Sequence, residues 1–238
     1  MPIKECIILA GGLGTRLRSE VADLPKCMAP VAGKPFLHWV LVYLTAQKIT
    51  SFVLSLGYMH EIIEEYIQLN YPQLSFKFSV ENEPLGTGGA IKLALSLCEE
   101  ENVLVVNGDT LFETNNDAIL EAHIESNSTC TLALKPMQNF ERYGAVTINE
   151  NNVITAFTEK KYMTQGLING GVYLINRNSF NQINFPEKFS FEKDFLEKYL
   201  ETLTMIGVED DGYFIDIGIP EDFKKANEEI KLKFNAEH

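Results

Sequence analysis

The first half of the chain alternates between two hydrophobic patterns. Short apolar runs, and one segment of alternating polarity, predict buried strands; they lie at residues 6–10, 52–57, 74–80 and 102–106. Between them, apolar residues three or four positions apart predict helices at residues 35–48, 60–69 and 87–97. This alternation predicts an α/β fold with a Rossmann-like, doubly wound and mainly parallel central sheet.

From about residue 129 the pattern changes to strands joined by short turns. It predicts strands at 130–135, 144–148, 153–157 and 170–175, a helix at 191–200, two strands near 204–208 and 213–217, and a charged helix from Pro220 onward. We find no linker and no hexapeptide repeat of the kind that builds an appended β-helix. We therefore expect a single domain over residues 1–238, with halves at 1–128 and 129–238, the second of them rich in β-structure.

A glycine-rich segment follows the first predicted strand. Gly11, Gly12 and Gly14 lie within four positions, and Arg16 and Lys26 follow them. Glycines let the backbone turn sharply and bring its N–H groups against a phosphate, and the two cations add positive charge. The segment fits neither the Walker pattern nor the dinucleotide pattern GxGxxG. It predicts a site for the phosphates of a nucleoside triphosphate that is cleaved.

Composition and charge limit the classes of partner. The formal net charge of -13 disfavours duplex nucleic acid, and no apolar run is long enough to predict a membrane span. The four cysteines are scattered without CxxC spacing, which is typical of reduced, mostly buried thiols. We expect a cytoplasmic protein without nucleic-acid or membrane partners. The sequence leaves open whether it forms a homodimer.

Two acidic residues stand where predicted strands end. Asp109 directly follows the fourth strand, at the edge where open α/β sheets bind ligands, and a carboxylate there suits Mg²⁺. Asp216 lies between Ile215 and Ile217, where an isolated carboxylate is costly to bury unless it is paired or bound to metal. The alternatives are that Asp109 caps the next element and that Asp216 bonds the turn at Gly218. If both bind metal, the fold must bring them together.

These segments together resemble the sugar-phosphate nucleotidylyltransferases, also called nucleotide-sugar pyrophosphorylases. The pattern GGxGTRL…PK at residues 11–26 resembles their signature, and residues 214–222 resemble their D-x-G-[TI]-P-E-D motif. The resemblance extends from residue 7 to about residue 222. It implies the nucleotide-diphospho-sugar transferase fold, Arg16 and Lys26 as catalytic residues, and Mg²⁺ as cofactor on Asp109 and Asp216.

The resemblance also implies the residues that contact each substrate. A second glycine loop, at residues 81–90, would close over the nucleobase, with Gly88 and Gly89 allowing close approach; without the resemblance it is equally a strand–helix turn. The implied nucleotide-binding residues are Leu9, Ala10, Gly11, Gly12, Gly14, Thr15, Glu83, Pro84, Gly86, Thr87, Gly88 and Asp109.

Three segments of the second half, at residues 143–146, 157–160 and 168–173, resemble the sugar-facing segments of the family. They imply sugar-phosphate contacts by Gly144, Glu159, Lys160 and Asn169. A lysine ammonium suits the phosphate of a sugar 1-phosphate. Taken singly, the Glu159-Lys160 pair is more typical of a solvated surface, and we expect Lys161 to be surface charge only.

The implied reaction joins a nucleoside triphosphate to a sugar 1-phosphate, giving a nucleoside diphosphate sugar and pyrophosphate without a protein nucleophile. Residues 24–35 most resemble the heptose branch of the family, which implies GTP and D-glycero-α-D-manno-heptose 1-phosphate. Alternatives are a uridylyl- or cytidylyltransferase for another sugar 1-phosphate, a cytidylyltransferase for an alcohol phosphate, and a non-catalytic regulatory homologue. The last is disfavoured because Arg16, Lys26, Asp109 and Asp216 are all present.

Overall fold

The computed structural model describes residues 2–12, 21 and 24–235. Within these residues, a nine-stranded mixed sheet forms the centre of the fold. The strands are β1 (Glu5–Leu9), β2 (Pro30–Val31), β3 (Lys34–Pro35), β4 (Ser51–Leu56), β5 (Ser75–Val80), β6 (Asn102–Asn107), β7 (Thr110–Phe112), β8 (Cys130–Phe140), β9 (Ala145–Ile148), β10 (Ile154–Thr158), β11 (Met163–Asn176), β12 (Met205–Glu209) and β13 (Phe214–Asp216). The α-helices are α1 (Phe36–Ala46), α2 (His60–Asn70), α3 (Gly86–Leu95), α4 (Asn116–Glu125), α5 (Arg177–Asn181) and α6 (Pro220–Asn235). A π-helix spans Phe191–Glu197.

The first half forms the parallel part of this sheet, as predicted. β1 pairs in parallel with β4 and β6, and β4 pairs in parallel with β5. Neighbouring side chains point to opposite faces, so Ile8 and Leu54 pack with α1, α2 and α6, whereas Ile7 and Val53 pack with α3, α5 and the π-helix. Helices on both faces make the sheet doubly wound.

The second half extends the same sheet with antiparallel strands. β11 pairs antiparallel with β6, β8 and β9, and β9 pairs with β10. β8 and β11 are longer than the predictions of 130–135 and 170–175, because backbone pairing continues the ladder through polar residues that give no hydrophobic signal. The helix predicted at 191–200 is the shorter π-helix. The strands predicted at 144–148 and 153–157 are confirmed to within one residue.

β11 changes partners at two glycines. Gly171 has a φ of +74°, and a Cβ built there would lie 2.4 Å from Asn107 Nδ2. A Cβ on Gly170 would lie 2.3 Å from the Phe112 ring, so both positions require the close approach that only glycine allows. The register shift between Asn169 and Tyr173 places Asn169 where β11 passes from one half to the other.

All four cysteines are buried free thiols, as predicted. Among the helices that the structure describes, none combines the length and the apolar character needed to cross a membrane.

Candidate active site

Asp109 and Asp216 are brought together by a small antiparallel sheet. β13 pairs with β7 so that Asp216 stands opposite Thr110, the residue after Asp109. The Ile217 N–H donates to the Asp109 carbonyl at 3.0 Å, which continues the pairing by one residue. The expectation that the fold unites these two distant acidic residues is confirmed. Their position is set by backbone hydrogen bonds rather than by flexible side chains.

Lys26 lies between the two carboxylates. It opens a short 3₁₀ turn, Lys26–Met28, after Pro25. Its Nζ donates to Asp109 Oδ2 and lies 3.8 Å from Asp216 Oδ1. Asp216 Oδ1 also accepts from the Gly218 N–H at 2.6 Å, so the turn hydrogen bond considered as an alternative coexists with the pairing. The three ionisable groups form one compact, partly buried cluster.

The electrostatics of this cluster favour an additional cation. Burial raises the pKa of Asp216, and the negative charge of Asp109 raises it further, against the opposing effects of Lys26 and the Gly218 N–H. Among the described residues, the two carboxylates share one ammonium within 4 Å, that of Lys26. Among the described residues no group of three or more His, Cys, Asp or Glu could hold a metal. The pair suits Mg²⁺, because that ion binds through one or two carboxylates and takes its remaining ligands from substrate phosphates and water.

Cys27 adjoins this cluster but is not a candidate nucleophile. Its thiol is buried, and burial together with the nearby Asp109 charge raises its pKa to about 12. The thiolate is therefore not populated near neutral pH.

A cavity of about 910 Å³ opens at the carboxyl ends of β1, β4 and β6. Seven of the predicted nucleotide-binding residues line it: Leu9, Gly11, Gly12, Pro84, Gly86, Thr87 and Asp109. Gly14, Thr15 and Arg16 lie outside the described residues. We refer to this space as the nucleotide cavity. Its position follows the rule that open α/β sheets bind ligands beyond their strand ends.

Three predicted nucleotide-binding residues do not line this cavity. Ala10 is buried, and its N–H donates to the Ser55 carbonyl at 2.8 Å, so it continues the strand pairing. Glu83 is exposed on the loop. Gly88 and Gly89, which were expected to permit close approach of the base or ribose, do not line the cavity. A Cβ on Gly88 would lie 2.2 Å from the Phe189 ring and one on Gly89 2.6 Å from the Glu187 carbonyl, so these glycines allow α3 to pack closely on the chain.

A second cavity, of about 520 Å³, lies over the antiparallel strands and the π-helix. It contains all four predicted sugar-phosphate residues: Gly144, Glu159, Lys160 and Asn169. The Asn169 amide is fixed, because its Oδ1 accepts from the Gly171 N–H at 3.0 Å and its Nδ2 donates to the Tyr173 hydroxyl at 2.9 Å. We refer to this space as the sugar cavity.

Sequence reasoning missed two residues that line both cavities, Asn107 and Glu192. Asn107 ends β6 two residues before Asp109, and the strand-end rule that selected Asp109 could also have selected it. Glu192 lies in the π-helix, and its local sequence gives no comparable signal. The two cavities adjoin at these residues.

Known proteins are similar to this chain over most of its length. A family model described as nucleotidyl transferase matches residues 5–233. The chain is 52% identical over 227 residues to the D-glycero-α-D-manno-heptose 1-phosphate guanylyltransferase of Aneurinibacillus thermoaerophilus, covering 95% of this chain and 98% of that protein. It is 44% identical over 219 residues to the protein of the same name from Campylobacter jejuni, covering 92% and 96%.

Solved structures show the same fold. The crystal structure of HddC from Yersinia pseudotuberculosis complexed with GMP-PN matches with a TM-score of 0.87 and 38% sequence identity, covering 96% of this chain and 100% of that chain. The inositol-1-phosphate CTP transferase of T. maritima matches with a TM-score of 0.80 at 21% identity, over 98% of this chain and 97% of that chain, and supports the fold alone.

Proposed function

The chain belongs to the nucleotidyl transferase family, and from this premise we propose that it transfers a guanylyl group from GTP to D-glycero-α-D-manno-heptose 1-phosphate. The observation that carries the chemistry is the meeting of Asp109, Asp216 and Lys26, with Asp109 in the wall of the nucleotide cavity that adjoins the sugar cavity. The choice of substrates is supported by the names of the two heptose 1-phosphate guanylyltransferases and by HddC with GMP-PN.

In this reaction a phosphate oxygen of the sugar 1-phosphate attacks the α-phosphorus of GTP. A new P–O bond forms as the bond from the α-phosphorus to the α,β-bridging oxygen breaks, and pyrophosphate leaves on the opposite side. The work of the protein is to hold two anions in line, and such alignment can supply up to about 7–11 kcal/mol. The presence of two adjoining cavities supports this requirement.

Positive charge is the second requirement. We assign Lys26 to the α-phosphate, where charge builds as the bond forms, and Arg16 to the departing pyrophosphate. Asp109 and Asp216 would hold Mg²⁺, which when bound supplies further positive charge to the reacting phosphates. The shared ammonium and the raised pKa of Asp216 support this assignment, because the pair carries more negative charge than Lys26 neutralises.

The sugar cavity has groups suited to a polyhydroxylated phosphate. We assign Lys160 to the 1-phosphate, and Glu159, Asn169 and the Gly144 backbone to the sugar hydroxyls. Glu192 and Glu197 add carboxylates to the same wall, and carboxylates accept hydrogen bonds from hydroxyls. Free buried cysteines support a reducing compartment, so we place the enzyme in the cytoplasm. A homodimer stays a prediction.

The direct test combines each nucleoside triphosphate with a panel of sugar 1-phosphates and measures released pyrophosphate. We expect the highest kcat/KM for GTP with D-glycero-α-D-manno-heptose 1-phosphate. Mannose 1-phosphate is the matched control because it lacks one CHOH unit of the heptose. Preference for another nucleotide or sugar would contradict the substrate assignment. No pyrophosphate with any pair would contradict catalysis and favour a binding protein.

A further inference from the structure

The loop that borders the nucleotide cavity is tied by its backbone to a segment from the opposite half of the chain. The Phe189 N–H donates to the Leu85 carbonyl at 3.0 Å, and the Phe189 carbonyl accepts from the N–H groups of Gly88 at 3.0 Å and Gly89 at 3.4 Å. We call the two paired segments, residues 85–89 and 189–192, the inter-cavity clamp. Their pairing fixes the first turn of α3 against the entry to the π-helix.

One side chain completes the clamp. The Thr87 hydroxyl accepts from the Phe191 N–H at 2.9 Å and donates to Glu192 Oε2 at 2.8 Å. The same Glu192 oxygen accepts from the Ser190 hydroxyl at 3.0 Å. The single proton of the Thr87 hydroxyl is therefore committed to a residue that lines both cavities.

The clamp connects to the sugar cavity through a second path. The Tyr173 hydroxyl accepts from Asn169 Nδ2, and the Tyr173 ring packs edge-on against Phe191 with centroids 4.9 Å apart. Phe189 is stacked on Phe185 at 4.3 Å and fills the space beside Gly88. A continuous set of packed and hydrogen-bonded groups therefore runs from Asn169 in one cavity to Thr87 in the other.

From these contacts we propose that Thr87 and Glu192 are positioning residues that couple occupancy of the two cavities. The proposal rests on the proposed function, which names the occupants. Ser190, Glu192 and Lys193 form part of the sugar-cavity wall, while Thr87 borders the nucleotide cavity. A ligand that orders one wall lowers the entropy cost of ordering the other, which makes binding cooperative. Thr87 and Glu192 are both exposed, so their hydrogen bond strengthens when ligands exclude water.

Titration calorimetry in Mg²⁺ buffer tests the coupling. The ligands are D-glycero-α-D-manno-heptose 1-phosphate and a GTP analogue whose α,β-bridging oxygen is replaced by methylene, which forms a non-reacting ternary complex. In the wild type we expect saturating heptose 1-phosphate to tighten analogue binding by at least about fivefold. Thr87→Val and Glu192→Ala should each reduce this factor to below about twofold, because each removes the Thr87–Glu192 hydrogen bond.

Two control variants separate coupling from general damage. Thr87→Ser keeps the hydroxyl and should retain the wild-type factor, and Glu201→Ala changes an exposed carboxylate outside both cavities. The coupling would be overturned if heptose 1-phosphate leaves analogue binding to the wild type unchanged. It would also be overturned if Thr87→Val shows the same factor as the wild type. Either result would leave the proposed function intact. A wild type that binds neither ligand would contradict the proposed function, and the coupling with it.

Discussion

The two cavities are built by different means. The nucleotide cavity is bordered largely by loops at the ends of parallel strands, with glycines at Gly11, Gly12, Gly57 and Gly86. The sugar cavity is bordered by side chains that project from antiparallel strands and from the π-helix. Backbone N–H groups recognise phosphates that every nucleotide carries, whereas hydroxyls of one particular sugar require individually placed side chains. The difference predicts that a substitution in one cavity changes the KM of the substrate bound there and leaves the KM of the other substrate nearly unchanged.

The largest effect is expected at the cluster of Asp109, Asp216 and Lys26. Asp109→Ala and Lys26→Ala should each lower kcat at least about a hundredfold while the protein stays folded. Asp109→Ala leaves Lys26 paired with Asp216 and relieves repulsion between the carboxylates, so the fold does not lose a necessary contact. Pyrophosphate release measures the rate. Asp117→Ala, an exposed carboxylate on α4, is the control, and near-normal turnover of either site variant would refute the role of that residue.

Neighbouring lysines test the sugar cavity alone. Both lysines are exposed, but Lys160 lines this cavity and Lys161 does not. Lys160→Ala should raise KM for the sugar 1-phosphate by about tenfold, because it removes a charged contact to the phosphate, and should leave KM for GTP nearly unchanged. Lys161→Ala should resemble the wild type. Equal effects of the two substitutions in steady-state kinetics would show that Lys160 is ordinary surface charge.

Paired glycines test how the nucleotide loop is held. Gly88→Ala places a Cβ 2.2 Å from the Phe189 ring, whereas a Cβ on Gly12 would meet no atom of the described residues within 4 Å. Gly88→Ala should lower the free energy of unfolding by about 1–3 kcal/mol through overpacking. Gly12→Ala should change it far less. Urea denaturation compares the two. If Gly88→Ala is as stable as Gly12→Ala, the packing account of Gly88 is wrong.

The smallest effect is expected at His123, which lies where the two halves of the chain meet. His123 is buried, and its ring contacts Thr131 of β8 and Asn102 of β6. Burial lowers the pKa of His123 from 6.5 to about 4, so the folded protein resists a proton that the unfolded chain accepts. The neutral His123 ring therefore contributes fully to the free energy of unfolding above pH 6.5, the pKa in the unfolded chain. This contribution falls as the pH drops from about 6.5 towards 4.

His123→Gln isolates this contribution because glutamine stays neutral. Between about pH 7 and about pH 5.5 the wild type should lose about 1 kcal/mol more unfolding free energy than the variant. Chemical denaturation at each pH gives the comparison. Parallel pH profiles of the two proteins would show that His123 titrates normally in the fold.

The sequence predicted the parallel half well and the antiparallel half in part. Helix α2 was expected at 60–69 and spans His60–Asn70, because its apolar positions repeat with the helical period. Residues 163–169 of β11 carry glycine and polar residues, so only their partner strands reveal them as a strand. β7 has three residues, which is too short for any periodicity, although it positions Asp216 beside Asp109. Helix α4 was not predicted.

The candidate site was also predicted only in part. Residues carried by short motifs, such as Asp109 and Lys160, lie in the cavities where the motifs implied them. Gly88 does not line the nucleotide cavity, and its local sequence gives no sign of its packing partner Phe189 from the other half of the chain. Glu192 was missed for the same reason, since its contact with Thr87 exists only in the folded protein. Contacts between distant segments are the information that local patterns lack.

The proposed function requires that Asp109 and Asp216 together hold the divalent cation beside bound GTP. Mn²⁺ can replace Mg²⁺ as a paramagnetic probe, and electron paramagnetic resonance measures its free concentration during titration of the wild type, Asp109→Asn and Asp216→Asn. The account predicts that the GTP complex of the wild type binds Mn²⁺ and that each substitution weakens this binding by about tenfold or more. Unchanged Mn²⁺ affinity in either variant would contradict it.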